Sequence, residues 1–128
     1  MKKKVLIVED EPILALELTE DLTRAGYEVL PVLTDGDRVL SVVLQHHPDL
    51  ILMDIKIYGF RDGIEAAKRI RPHSTTPIVY LSSKPYTEVK DRVAGTAPAW
   101  YLEKPYEGAI LLSTMQRVLG QDQNLKSP

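Results

Sequence analysis

The sequence predicts an open, doubly wound α/β domain, and three observations lead there. Short apolar or β-branched runs alternate with longer segments of helical period, five times over. The first, third and fourth runs are almost continuously apolar, as strands of a parallel sheet covered on both faces must be. A chain of 128 residues with 44% apolar content supports one single-core domain and is too short for two of ordinary size.

The elements follow in order. Val5 to Val8 reads as the first strand; Pro12 suits the first turn of a helix, where its missing N–H costs nothing, and Leu14, Leu18 and Leu22 with Ala15 and Ala25 make the buried stripe of that helix, closed by Gly26. Glu28 to Leu33 is the second strand, and Val39, Leu40, Val43 and Leu44 form the second helical stripe. Leu50 to Met53 is the third strand. Asp62 with Glu65 three residues on resembles a capping box opening a third helix, whose stripe is Ile64, Ala67 and Ile70. Ile78 to Leu81 is the fourth strand, followed by a short helix from Tyr86 to Val93 ended by Gly95. Trp100 to Leu102 is the fifth strand, and Leu111, Met115 and Val118 mark the last helix, expected to stop at Gly120. The domain is therefore read as residues 1–120, with Gln121 to Pro128 as a polar, mobile tail. No repeat, low-complexity stretch or linker to a second domain is visible.

Composition excludes several classes of function. The net charge is -2, and apart from Lys2, Lys3 and Lys4 the basic residues are spread along the chain, so no basic stripe offers a nucleic-acid surface. There is no cysteine, hence no disulfide framework and no thiolate chemistry. The N-terminal lysines are not followed by a signal-peptide segment, and no run approaches transmembrane length. A soluble, cytoplasmic protein without membrane insertion is expected.

In open α/β sheets the ligand crevice lies beyond the C-terminal ends of the strands. The residues delivered there are Glu9 and Asp10, Asp54, Ser82 with Ser83, and Lys104. Carboxylates about 5 Å apart in an effective dielectric near 20 repel by roughly 3 kcal/mol per pair, so cations must accompany them. Lys104 supplies one charge, and Mg²⁺ bound by carboxylate oxygens supplies the rest, making the formal sum zero. Asp54 then reads as a nucleophile that forms an aspartyl phosphate, Asp10 as a direct metal ligand, and Glu9 as a ligand directly or through water. Lys104 would pair with one phosphoryl oxygen and the Ser82 hydroxyl would donate to another, while the backbone carbonyl of Lys56 is a further candidate ligand.

These residues sit in "VLIVEDEP", "DLILMDI", "YLSS" and "YLEKPY", which resemble in order and spacing the motifs of the receiver domains of two-component response regulators, over roughly residues 3 to 119. The resemblance implies a flavodoxin-like fold with five helices and strand order 2-1-3-4-5, for which a chemotaxis receiver is the standard example. It implies transfer of a phosphoryl group from a sensor histidine kinase or histidine phosphotransfer protein onto Asp54, with Mg²⁺ required and Mn²⁺ an alternative. Such a domain catalyses only its own phosphorylation and dephosphorylation. Ser82 would then move toward the phosphoryl group and Tyr101, three residues before Lys104, would turn inward. The implied output is a downstream protein bound on the face of the fourth helix, fifth strand and fifth helix, or a phosphorylation-dependent homodimer. The kinase would dock on the first helix near Ile13 and Leu14.

The chain also departs from the common receiver pattern. Tyr58 stands where proline is usual, and one additional residue precedes Asp62 and Gly63, in a loop "IYGFRDG" that, with "AGTAPAWYLEKPY", resembles receivers found as short regulators or sensor-linked modules. Lys56 and Lys84 lie two residues beyond Asp54 and Ser82, where they can screen a phosphoryl group from water and lengthen its lifetime. No output segment follows residue 120, so the chain reads either as a single-domain regulator or as part of a longer protein.

Ordinary explanations compete at each position. Asp10 can cap the first helix, Ser82 is a commonplace residue after a strand, and Tyr101 can be a packed strand tyrosine with its hydroxyl at the rim. His46, His47 and His73 lack partners at metal-binding spacing and are assigned no chemistry. Three other functions fit the residues less well. A haloacid-dehalogenase-type phosphotransferase needs an acid two residues after the nucleophile, where Lys56 stands. A mononucleotide binder would not place "EDEP" against a phosphate. A pseudo-receiver that only docks proteins should lack an acid, the aspartate or the lysine, and all are present.

Overall fold

The computed structural model describes residues 2–56 and 62–126, with side chains described as far as residue 120. Ten elements alternate: β1 (Lys4–Val8), α1 (Pro12–Arg24), β2 (Glu28–Val29), α2 (Val39–His46), β3 (Leu50–Asp54), α3 (Gly63–Ile70), β4 (Ile78–Ser82), α4 (Tyr86–Ala94), β5 (Ala99–Glu103) and α5 (Gly108–Lys126). The strands form one sheet of order β2-β1-β3-β4-β5, every pairing parallel. This is the order the resemblance implies.

Strand alternation divides the core into two layers. Leu6 and Val8 of β1 and Ile51 and Met53 of β3 face α2, α3 and α4, packing with Val43, Ile64 and Val89. Val5, Ile7, Leu50 and Leu52 face the other way, onto Leu18 and Leu22 of α1 and Leu111 and Met115 of α5. β3 is consequently buried at every residue, whereas β5, at the edge, is half-buried along its length and exposed at Glu103.

Four local expectations need correction. The second strand is only Glu28–Val29: Glu28 and Leu30 donate to Lys3 and Val5, but the next amide to reach β1 is that of Leu33, donating to Ile7, so one extra residue around Pro31 interrupts the register. Asp10 does not cap α1: the cap position is Glu11, with no side-chain cap bond. Of the capping box before α3 only half forms, the Asp62 carboxylate accepting from the Glu65 amide at 2.9 Å, while Glu65 itself turns to Lys68 and Arg92. The last helix passes Gly120 and runs to Lys126, since one glycine costs only about 1 kcal/mol and good helix formers follow. The loop centred on Tyr58, Gly59 and Phe60, and the last two residues of the expected tail, lie outside the described residues.

Two contacts fix the frame around the strand ends. A Cβ on Gly63 would lie 2.2 Å from the backbone oxygen of Asp54 and 2.8 Å from the Met53 side chain, so α3 can start against the end of β3 only because this residue is glycine. Its amide donates to the Ile55 carbonyl at 2.8 Å. On the far side of the molecule, half-buried Arg71 donates to the carbonyls of Thr96, Ser74 and Pro98 at 2.7, 3.1 and 3.0 Å, tying α3 to the turn before β5.

Candidate functional site

Each site residue leaves the sheet at the carboxyl end of a different strand. Glu9 and Asp10 follow β1, Asp54 ends β3, Ser82 ends β4, and Lys104 follows β5. Parallel register brings these ends level: Val8 is opposite Met53, Asp54 opposite Leu81, and Ser82 opposite Glu103. Glu9, Asp10 and Asp54 each present a carboxylate oxygen within 4.8 Å of the others.

Two of the pocket's three acids are buried. Glu9 is 1% exposed and Asp54 6%, and the Lys104 ammonium reaches between them, 3.2 Å from Glu9 Oε1 and 3.3 Å from Asp54 Oδ2. Burial, and after it the adjacent Asp54 carboxylate, push the Glu9 carboxyl up to about 7. For Lys104 burial acts downward, but the Asp54 and Glu9 carboxylates more than offset it, so the ammonium is held above its ordinary value. Buried acids with one lysine between them leave an excess of negative charge, the environment a hard divalent cation requires.

Backbone amides aim the polar side chains. The Glu11 amide donates to Glu9 Oε2 at 3.2 Å, the Lys56 amide to Asp54 Oδ1 at 3.2 Å, and the Lys84 amide to Ser82 Oγ at 3.1 Å. Lys56 and Lys84 thus hold the acid and the hydroxyl through their main chain, and their side chains are exposed at the rim. The Lys104 amide donates to the Ser82 carbonyl at 2.7 Å, one residue beyond the last β4–β5 pair.

Tyr101 lies beside this pocket, on β5. Its hydroxyl donates to the Lys84 carbonyl and its ring meets that of Tyr86 with centroids 5.3 Å apart. Burial raises its pKa, against which the Ser82 hydroxyl acts. On the other flank, a groove of about 790 Å³ between α1 and α5 opens next to Lys104 and is lined by Leu14, Leu18, Leu22, Pro105, Tyr106 and Leu111. Ile13 projects from α1 at 76% exposure.

Three contributors escaped the sequence reading. Gly63 seats the backbone of Asp54, Glu103 accepts from the amide of Tyr86 at 2.8 Å, and Arg92 of α4 grips Asp62 at 3.0 and 2.8 Å. Each acts across a sequence separation that local periodicity cannot register; the only signal for Glu103 is its place in the strand immediately before Lys104.

A parallel sheet of this order, carrying an acidic pocket closed by one lysine, defines a receiver-type α/β signalling domain. The family model for the response regulator receiver domain matches residues 5–116, and the chain belongs to that family. It is 33% identical over 114 residues to the transcriptional regulatory protein PdtaR of Mycobacterium tuberculosis, covering 89% of this chain and 55% of that protein. It is 32% identical over 126 residues to the DNA-binding response regulator MtrA of Mycolicibacterium smegmatis, covering 97% of this chain and 54% of that protein. The chain spans about half the length of these relatives. Among solved structures it is similar to the BeF3-activated N-terminal receiver domain of Klebsiella pneumoniae RstA, with TM-score 0.83, 29% identity and coverage of 91% of this chain and 98% of that one. The receiver domain of the Pseudomonas aeruginosa sensor histidine kinase PA1611, solved with a magnesium ion coordinated in its active-site cleft, gives TM-score 0.82, 27% identity and coverage of 94% and 99%. No helix among the described residues is long and apolar enough to cross a membrane.

Proposed function

We propose that this receiver accepts a phosphoryl group on Asp54 from a histidine kinase or histidine phosphotransfer protein, in a Mg²⁺-dependent reaction, and signals by a conformational shift. The observation that carries the reading is the Lys104 ammonium held within 3.3 Å of buried Asp54 and 3.2 Å of buried Glu9. A structural ion pair needs one acid; a lysine shared by two, with Asp10 beside them, leaves negative charge for a divalent cation to offset and an ammonium that can pair with an incoming phosphoryl oxygen.

The donor set fits a hard divalent ion. Asp10, Asp54 and Glu9, with the Lys56 carbonyl, would hold Mg²⁺ or Mn²⁺, which when bound neutralises charge on the phosphoryl oxygens. The chain's own residues do the rest. An Asp54 carboxylate oxygen attacks phosphorus, the P–N bond of phosphohistidine breaks, and its electron pair leaves with the imidazole. Lys104 pairs with one phosphoryl oxygen and the Ser82 hydroxyl, released from the Lys84 amide, donates to another. Tyr101 follows Ser82 inward, and the altered face of α4, β5 and α5 is read by a partner protein or a second copy of the chain. The exposed Lys56 and Lys84 side chains screen the phosphoryl group and prolong it, and the kinase docks over the α1–α5 groove and Ile13. The domain acts in the cytoplasm and takes no substrate besides its phosphodonor.

The decisive experiment is incubation with Mg²⁺ and acetyl phosphate followed by intact-mass measurement. A single phosphate adduct is expected on the native chain and none on Asp54→Asn. No adduct on the native chain, or an equal one on the variant, would overturn the reading.

A further inference from the structure

We propose that Glu103 is a positioning residue that couples the phosphoacceptor pocket to the start of α4 through the peptide it shares with Lys104, alongside the contacts of Ser82 and Tyr101. The inference rests on the phosphoacceptor reading above.

Adjacent residues at a strand end point to opposite sides. Lys104 sends its ammonium to Glu9 and Asp54, while the carboxylate of Glu103, one residue earlier, accepts from the Tyr86 amide at 2.8 Å, 17 positions away in sequence. That amide opens α4. A helix begins with orphan N–H donors, and α4 lacks the usual means of satisfying them: its cap position is Pro85, with no side-chain cap bond. Glu103 therefore caps α4 from the neighbouring strand, with the sign of charge that a helix N-terminus favours.

The same short segment carries the site's hydroxyl. Ser82 to Tyr86 is bound to β5 and its continuation by the Lys104 amide to the Ser82 carbonyl, by the Tyr101 hydroxyl to the Lys84 carbonyl, and by the Tyr86 amide to the Glu103 carboxylate. The rings of Tyr86 and Tyr101, tilted at 53° with centroids 5.3 Å apart, add an apolar contact. A pull on Lys104 by a phosphoryl oxygen is transmitted through one peptide unit to Glu103 and so to the first turn of α4. By reciprocity, a firmly held first turn preorganises Ser82 and Lys104 for the incoming group.

A merely structural cap would protect α4 equally whether or not the pocket is filled, and this separates the two roles. Full-length wild type, Glu103→Ala and Glu103→Gln are compared in Mg²⁺, with and without beryllofluoride as the phosphoryl mimic, by amide hydrogen exchange at Tyr86 to Glu88 and by the rate of adduct formation with acetyl phosphate. In wild type the mimic should slow exchange at these amides. In Glu103→Ala that response should shrink at least threefold and adduct formation should slow about threefold to tenfold, with Glu103→Gln, which keeps an acceptor oxygen, recovering most of both. An unchanged mimic-induced response in Glu103→Ala, or a glutamine variant indistinguishable from alanine, would refute the coupling. A wild type that forms no adduct at all removes the phosphoacceptor reading and this inference with it.

Discussion

β3 and β5 end at the same pocket but are held there in different ways. β3 is paired on both edges and buried at every residue, and the start of α3 is pressed against its last residue through Gly63. β5 is paired on one edge only and is half-buried, its far end held by hydrogen bonds to an exposed segment as well as by the packing of Tyr101 and Leu102. The proposed nucleophile is thus on a strand that is buried and paired on both edges, whereas the proposed switch aromatic is on an edge strand and the proposed cation one residue past its end, where there is more freedom to shift. Under the proposed function, which needs a group received at a fixed point and its arrival reported elsewhere, that division is useful: Asp54 would stay while its neighbours on β5 move.

Breaking the rigid side should have the largest effect. In Gly63→Ala the new methyl would stand 2.2 Å from a backbone oxygen that cannot turn away, so α3 or β3 must be displaced. A loss of about 3 kcal/mol in unfolding free energy is expected, at the upper end of overpacking costs, together with weaker adduct formation because Asp54 moves with the strand. Urea denaturation checks the first part. A midpoint equal to that of the native chain would mean that the contact at Gly63 does not constrain β3.

On the β5 side the expected loss is of rate, not of fold. Lys104→Ala leaves Glu9 and Asp54 without their shared cation, but the pocket opens toward solvent at the lysine, whose side chain is 19% exposed, and added Mg²⁺ can restore the charge balance. The variant should fold, gain more stability from Mg²⁺ than the native chain does, and form adduct about 100-fold more slowly, the usual cost of removing one preorganised partner of a transferring anion. Thermal melts with and without Mg²⁺ and a mass time-course measure these quantities. Unfolding of Lys104→Ala in saturating Mg²⁺ would place β5 among the rigid elements and erase the contrast.

The same contrast governs what could be read from sequence. Buried β1, β3 and β4 announce themselves as apolar runs, and because such strands in a parallel sheet end at a common rim, Glu9, Asp10, Asp54, Ser82 and Lys104 could be gathered from one sequence without coordinates. β2 could not be bounded, since the run to Leu33 looks continuous in hydrophobicity while its pairing with β1 slips by one residue after Leu30. The end of α5 was misplaced because Gly120 is a weak local stop set against favourable residues beyond it. The contacts at Gly63, Glu103 and Arg92 were invisible for another reason: each is decided by which elements become neighbours, as with Arg71 reaching the Thr96 carbonyl 25 residues away. Periodicity identifies faces of elements and does not identify the particular atoms that meet.

The smallest perturbation is also the sharpest test of how β5 is held. Tyr101→Phe removes the hydroxyl that donates to the Lys84 carbonyl and keeps the ring against Tyr86. Because the bond lies at an exposed edge, water can replace it, and stability should fall by only about 0.5 kcal/mol. The Ser82 to Pro85 segment, however, loses one of its ties to β5, so exchange at the amides of Ser83 and Lys84 should accelerate severalfold while that of Leu52 and Met53 in β3 is unaltered. If β3 amides accelerate in parallel, the two strand ends share one opening reaction, and the fixed nucleophile and mobile partners are not separate parts of the fold.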